Sequence, residues 1–245
     1  MKVSVVIPVC NEADNIEPLA REIQAALAGH RPFEIVYVDD GSTDATVAKV
    51  LAARANGIPE IRLLQHSVRS GQSAAVHTGV RAAQAEWIAT LDGDGQNDPA
   101  DIPALIAAQA AAGENLKLVM GNRKATRKDS WLRKVSSSVA NGVRGWMLKD
   151  GTPDTGCGIK LMHRATFLEL PRFNHMHRFL PALASEMGVR IEEQAVNHRP
   201  RVHGRSKYGL SRTVRVVLDL VTVKYLLSYS TRPLQVFGLI GGMSW

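Results

Sequence analysis

Strand-like and helix-like segments alternate through the first half of the chain, and this alternation limits the possible folds more than any other feature. Lys2 to Val9, Phe33 to Val38, Ile61 to Gln65, Trp87 to Leu91 and Leu116 to Met120 are short apolar runs that predict strands. Between them, Asp14 to Leu27, Thr43 to Arg54, Gln72 to Gln84 and Ala100 to Ala112 read as helices. The order predicts a Rossmann-like α/β fold, a mostly parallel sheet with helices on both faces. Such sheets take ligands at the carboxyl ends of their strands. Asn11-Glu12, Asp39-Asp40-Gly41-Ser42 and Asp92-Gly93-Asp94 each follow directly on a predicted strand, so they should converge on one rim.

The familiar phosphate cradles are missing. No GxGxxG follows the first strand, and no GxxxxGK[ST] loop occurs anywhere. A nucleotide bound here would need carboxylates and a metal in place of a glycine-rich turn. The 245 residues, 45% hydrophobic and 22% charged, suffice for one large domain or two small ones and show no internal repeat. Cys10 and Cys157 fit neither a zinc spacing nor a disulfide framework, which makes a reducing, cytosolic compartment the default. The N-terminal run soon meets Asn11, Glu12 and Asp14, and it reads as a first strand rather than a signal peptide.

The segment TLDGDGQND places Asp92, Asp94 and Asp98 within seven residues at the end of a strand. In extended backbone Asp92 and Asp94 leave the same face, Gly93 allows close approach between them, and Gln96 continues the row. Oxygen ligands of this kind suit magnesium or manganese. The alternative is helix capping, which fits Asp98 before Pro99 well. It fits the Asp92 and Asp94 pair poorly, because their mutual repulsion needs a cation.

The formal charge of +7 is concentrated. From Asn197 to Trp245 there are eight basic residues and one acidic residue, which accounts for the whole excess. A second basic cluster runs from Arg123 to Lys134. Both suggest an anionic partner: nucleotide phosphates, lipid headgroups or nucleic acid, or else simply a solvated basic surface. Leu210 to Ser230 has Val214, Val217, Leu218, Val221 and Tyr225 at helical spacing among charged residues, the pattern of an interfacial amphipathic helix. The run LQVFGLIGGMSW after Pro233 falls short of the ~20 residues needed to span a bilayer. An ordinary helix packed on the domain is the alternative.

Six ordered motifs together resemble the family-2 glycosyltransferases, and more closely the dolichyl or polyprenyl phosphate mannosyl- and glucosyltransferases. They are PVCNE (Pro8 to Glu12), VDDGSTDAT (Val38 to Thr46), LDGDGQNDP (Leu91 to Pro99), MGNR (Met120 to Arg123), DTGCGIKLM (Asp154 to Met162) and HRPRVHGRSKYG (His198 to Gly209). The resemblance implies a GT-A fold over residues 1–209, followed by a juxtamembrane segment, 210–245, that is either the truncated start of a membrane region or a minimal peripheral form. It also implies a nucleotide-sugar donor of the GDP-mannose or UDP-glucose type, inversion at the anomeric carbon, and transfer of one sugar to a polyprenyl phosphate at the cytosolic membrane face.

By the same resemblance, Pro8, Asn11, Glu12 and Asp39 hold the base and ribose. Asp92, Asp94 and Gln96 hold the divalent cation, magnesium or manganese. Arg123, Arg133 and Ser137 meet donor or acceptor phosphates, and Arg201, Ser206 and Lys207 close over the diphosphate. Asp154 falls in a loop near the acceptor, spelled DTGCG here where the family commonly has DxxSG, and with Asp94 and Arg123 it completes the implied catalytic set. Ser42 or Thr43 is expected to cap the next helix, and Asp40 to be structural. The basic cluster from Arg123 to Lys134 has a second reading, contact with anionic headgroups. Two competing functions are a soluble transferase acting on a glycan and a non-catalytic membrane-surface or nucleic-acid binder. Asp39, Asp92 and Asp94 argue against a nucleic-acid partner, since they would repel a polyanion. Nothing in the sequence bears on oligomeric state.

Overall fold

The computed structural model describes residues 2–123, 156–200, 211–229 and 233–243. It divides into two compact units, Met1–Lys128 with Pro153–Arg205 and Asp129–Thr152 with Ser206–Trp245.

The first unit is built on one sheet. Its described strands are β1 (Val3–Val9), β2 (Phe33–Asp39), β3 (Ile61–Gln65), β4 (Trp87–Thr90), β5 (Leu116–Asn122), β6 (Lys160–His163) and β7 (Arg190–Ala195). They lie in the order β3-β2-β1-β4-β6-β5-β7. β1 and β2 are buried along almost their whole length, as expected of central parallel strands whose two faces are both covered. Helices α1 (Ala13–Ala26), α2 (Thr46–Ala55), α3 (Gln72–Ala82) and α4 (Ile102–Ala112) connect them, with the short α5 (Arg164–Glu169) and α6 (Leu180–Glu186) later in the chain. On α1, Ile16, Leu19, Ala20 and Ile23 form the buried stripe that its helical spacing predicts. Tyr37 in β2 donates its hydroxyl to the Ile16 carbonyl at 3.1 Å, fixing α1 on the sheet.

Two features place the site. The chain runs outward from β1 through β2 to β3, then returns to the other side of β1 at β4. That reversal opens a crevice beyond the carboxyl ends of β1 and β4, the position where open α/β sheets bind ligands. The second feature lies within a sheet that is mostly parallel, as expected: β6, which the sequence did not reveal, is antiparallel to both β4 and β5. It therefore begins at the carboxyl rim, bringing Gly158 and Lys160 to the same edge as the acidic loop. Four of the expected helices start within three residues of their predicted positions. The helix after β2 begins at Thr46, and its first turn is tied by Asp44, whose Oδ1 accepts from Thr46 N at 3.0 Å. Ser42 and Thr43, expected as its cap, instead face the loop after β1.

In the second unit, α7 (Ser211–Ser228) and α8 (Pro233–Met243) are helical. Leu220 and Val223 are buried, whereas Leu218, Val221, Leu234 and Phe237 are exposed. The rings of Tyr225 and Phe237 lie 6.0 Å apart. Among the described residues, no helix is long and apolar enough to cross a membrane.

Candidate functional site

The loops after β1 and β2 are stitched into one rim. Asn11 sits in the left-handed region, with φ of 57°. Its backbone N–H donates to Ser42 Oγ at 2.9 Å, and its side-chain oxygen accepts from Thr43 N at 2.8 Å. Glu12 precedes α1, donates its N–H to Thr46 Oγ1 and accepts from Asn15 Nδ2 at 2.7 Å. Asn11 and Glu12, singled out as ligand contacts, thus have identifiable bonds within the rim itself. Pro8 lies at the end of β1 opposite Val38. A Cβ on Gly93 would come 3.1 Å from the Pro8 carbonyl and 2.7 Å from Val9 Cγ1, so the close approach that Gly93 permits is by β1.

Asp39 and Asp40 divide their roles. Asp40 accepts from Ser70 N and Gly71 N at 2.8 Å each and pairs with His66 Nδ1 at 2.9 Å, tying down the loop after β3. Burial pushes its carboxyl up, but these hydrogen bonds and the imidazole outweigh it and hold the group below the usual carboxylate range. Asp40 is therefore structural, as expected. Asp39 is buried too; its Oδ2 accepts from Ser42 N at 3.2 Å, while Oδ1 is buried with no hydrogen-bond partner. A buried acceptor left open at the carboxyl end of a central strand is an exception among buried polar groups, and it is free to accept a further hydrogen bond.

The acidic loop differs from its predicted geometry. The extended row of Asp92, Asp94 and Gln96 is interrupted, because the backbone turns at Gly93 and Gly95 adopts a φ of 71°. Asp94 Oδ1 accepts from Gln96 N at 3.1 Å, closing a local turn. The two carboxylates still lie close together. Burial pushes the Asp92 carboxyl up and the charge of Asp94 pushes it further, with Lys160 and Arg123 pulling the other way. Gln72 Nε2, in the first turn of α3, donates to Asp92 Oδ1 at 2.8 Å, and Asn97 Oδ1 accepts from Asp92 N at 3.3 Å. Asp98 is the cap it was expected to be: its Oδ1 accepts from Ala100 N at 3.0 Å ahead of Pro99.

Among the described residues, no three His, Cys, Asp or Glu side chains form a metal-binding set on their own. Two neighbouring, half-buried carboxylates, one of them destabilised by the other, nevertheless fit a hard divalent cation whose remaining positions are filled by water and phosphate oxygens. Lys160 is buried at the start of β6, with its ammonium on the Cys157 carbonyl. Beyond it lies His177, whose Nδ1 is 2.7 Å from Ser73 Oγ; burial and the surrounding positive charges push that imidazole down to about 3. It is neutral at physiological pH.

Arg123 lies at the end of β5, close enough for its charge to act on Asp92. Arg133, Ser137, Asp154, Arg201, Ser206 and Lys207 fall outside the described residues. Sequence reasoning did not find Gln72, Asn97, Gly158 or Lys160. Their types are unremarkable where they stand, and only the return of β6 and the packing of α3 bring them to Asp92.

Comparison with known proteins gives a consistent set of matches. The family model described as "Glycosyl transferase family 2" matches residues 4–170. A dodecaprenyl-phosphate galacturonate synthase from Rhizobium johnstonii is 37% identical over 245 residues, covering 98% of this chain and 72% of its own. An undecaprenyl-phosphate 4-deoxy-4-formamido-L-arabinose transferase from Edwardsiella ictaluri is 35% identical over 241 residues, covering 97% of this chain and 72% of its own. Among solved structures, glucosyl-3-phosphoglycerate synthase from Mycobacterium tuberculosis, in complex with manganese, UDP and glucosyl-3-phosphoglycerate, superposes with a TM-score of 0.72. That match covers 92% of this chain and 79% of the other at 18% identity, a likeness of fold.

Proposed function

The chain belongs to glycosyl transferase family 2 and is a glycosyltransferase with a GT-A-type α/β fold, and on that premise we propose that it transfers one sugar, with inversion, from a uridine diphosphate sugar to a polyprenyl phosphate. The observation that carries the chemistry is the half-buried Asp92 carboxylate beside Asp94. A pair so placed is unfavourable without a cation and fits a diphosphate–cation complex. Family membership removes the reading as a non-catalytic binder. A polyprenyl phosphate acceptor, rather than a soluble glycan, is supported by the two relatives that match nearly the whole chain and whose names specify polyprenyl phosphates.

The uridine assignment rests on Asp39. Its Oδ2 is engaged by Ser42 N, which leaves Oδ1 as a single open acceptor. One acceptor matches the lone imide N–H of uracil.

As the anomeric carbon separates from the diphosphate, negative charge grows on the leaving nucleotide, and the chain's groups act where it grows. Asp92 and Asp94 would hold magnesium or manganese, which supplies Lewis-acid stabilisation of that charge. Gln72 keeps the Asp92 carboxylate oriented. In this proposal Arg201, Ser206 and Lys207 meet the departing diphosphate, and Asp154 orients the acceptor. A phosphate monoester with a second pKa near ~6 is already largely dianionic at neutral pH, so the acceptor needs orientation more than a general base. The planar forks of Arg123 and Arg133, with Ser137, suit that task. The exposed Leu218, Val221, Leu234 and Phe237 of α7 and α8 support association with the cytosolic membrane face, peripheral or through an anchor in a longer chain, where the lipid acceptor would lie.

The test is to incubate the protein with polyprenyl phosphate, manganese and a panel of labelled UDP- and GDP-sugars. Manganese-dependent label in the organic phase from a UDP-sugar is expected. Its absence with every donor would overturn the acceptor assignment, and label from a GDP-sugar alone would overturn the uridine assignment.

A further inference from the structure

The chain that follows β7 returns to the acidic loop and is tied to it repeatedly. Asn197 N donates to Asp101 Oδ2 at 2.8 Å, Asn97 and His198 form an antiparallel bridge, and Arg199 N donates to the Gln96 carbonyl at 2.9 Å. The Arg199 guanidinium then reaches two carboxylates, 2.6 Å from Asp98 Oδ1 and 2.7 Å from Glu22 Oε2 on α1. Asp98 is the more enclosed of the two, with 12% of its side chain exposed against 44% for Glu22.

These contacts lead inward to the cation site. Arg199 grips residues 96 and 98 from outside, one through the backbone and the other through the side chain. Asn97, between them, accepts from the Asp92 backbone, and Gln96 N is bound by the Asp94 carboxylate. Both carboxylates therefore depend on the same short stretch of loop staying in place. That stretch leaves the turn at Gly95, and among the described residues its bridge is to this returning segment.

We propose that Arg199 is a positioning residue for the divalent cation: by bracing Gln96 to Asp98 from outside the site, it sets the placement of the Asp92 and Asp94 carboxylates. This rests on the reading of those two residues as cation ligands. The Arg199 guanidinium is engaged by Asp98 and Glu22 and acts through the loop. Partly exposed ion pairs contribute little to stability, so losing the brace should change cation binding far more than folding. Groups bonded directly to a ligand typically change metal affinity by about 10–100-fold, and the Arg199 side chain, which reaches the ligands through Asp98 and the loop, belongs at the low end of that range.

The experiment is a titration of manganese alone against the full chain, following the free-ion signal by electron paramagnetic resonance, with thermal melting alongside. Wild type, Arg199→Met, Arg199→Lys, Glu22→Gln and Asp94→Ala are compared. Arg199→Met is expected to weaken manganese binding by about tenfold with a melting temperature near wild type. Arg199→Lys, which can keep the Asp98 contact with its ammonium, should recover part of the affinity, and Glu22→Gln most of it. Manganese binding by Arg199→Met equal to wild type, together with its loss in Asp94→Ala, would overturn the positioning role and leave the ligands standing. Equal loss in Arg199→Met and Arg199→Lys would also overturn it. If wild type and Asp94→Ala bind alike, the ligand assignment fails, and the positioning role with it.

Discussion

Replacing Gly158 with alanine tests the packing of the site with a single methyl group. Gly158 precedes β6, and its carbonyl accepts from Thr90 Oγ1 at 2.9 Å, so its backbone is anchored to β4. Its φ lies outside the left-handed region, so alanine meets no backbone strain, and the effect is one of space. A Cβ there would overlap Asp92 Oδ2 and come 2.5 Å from Asn97 Oδ1. Neither atom can yield freely. Asp92 Oδ1 is held by Gln72, and Asn97 Oδ1 holds the Asp92 backbone. Overpacking of this kind costs about 1–3 kcal/mol. For a chain of this size the melting temperature falls about 2–4 °C for each kcal/mol. Moving a reacting group by about 1 Å costs roughly 100-fold in rate, so turnover should suffer far more than stability. The assay is sugar transfer measured well below the melting temperature, paired with calorimetry. Gly79→Ala is the control, since its Cβ would press on Val6 and Val38 side chains beneath α3, away from the acidic loop. It should melt lower yet keep the turnover of its folded fraction. A wild-type rate for Gly158→Ala, or an equal rate loss in both variants, would refute the reasoning.

At the opposite end of the strands, buried Glu34 accepts from Ser4 Oγ and Gln84 N at 2.6 Å each and pairs with Arg62 at 2.5 Å. Glu34→Ala leaves those donors without their acceptor and should cost about 3 kcal/mol, read as a lower denaturant midpoint with unchanged KM for the donor. Asp40 gives a pH dependence. Its folded pKa is depressed, so its stabilisation is fully present above the unfolded value of about 4 and is lost as pH falls through the lower folded value. Asp40→Asn should therefore flatten the acid limb of stability against pH below about 4, seen as denaturant midpoints that converge with wild type at low pH. Asp39→Asn replaces the open acceptor or disturbs the Ser42 contact, and should weaken UDP binding by about 1.5–3 kcal/mol in calorimetry, with melting close to wild type.

The sequence was informative where burial and periodicity coincide. β1 and β2 are covered on both faces, so continuous apolar runs marked them, and the stripe on α1 marked its inner face. β7 is an edge strand with the sequence RIEEQA and no buried residue, and it therefore carries almost no apolar signal. β6 is only four residues long and begins with a buried lysine, which reads as a polar break. Missing these two strands concealed the antiparallel insertion, and with it the route by which Gly158 and Lys160 reach Asp92. In the site itself, Asp98 before Pro99 was legible as a cap because the signal is local. The extended row of Asp92, Asp94 and Gln96 was not, because Gly95 turns the backbone and period-two reasoning ends there. Arg199 looked like one more basic residue in a basic tail, and its two carboxylate partners lie 101 and 177 residues away in sequence.

The central claim is that the Asp92 and Asp94 pair takes a divalent cation and that sugar transfer to polyprenyl phosphate depends on it. Turnover of Asp94→Ala, measured against manganese concentration with melting curves for the same samples, tests it most directly. A folded variant that melts near wild type but transfers no sugar at any manganese concentration is the predicted result. An unchanged rate and an unchanged manganese dependence would contradict it.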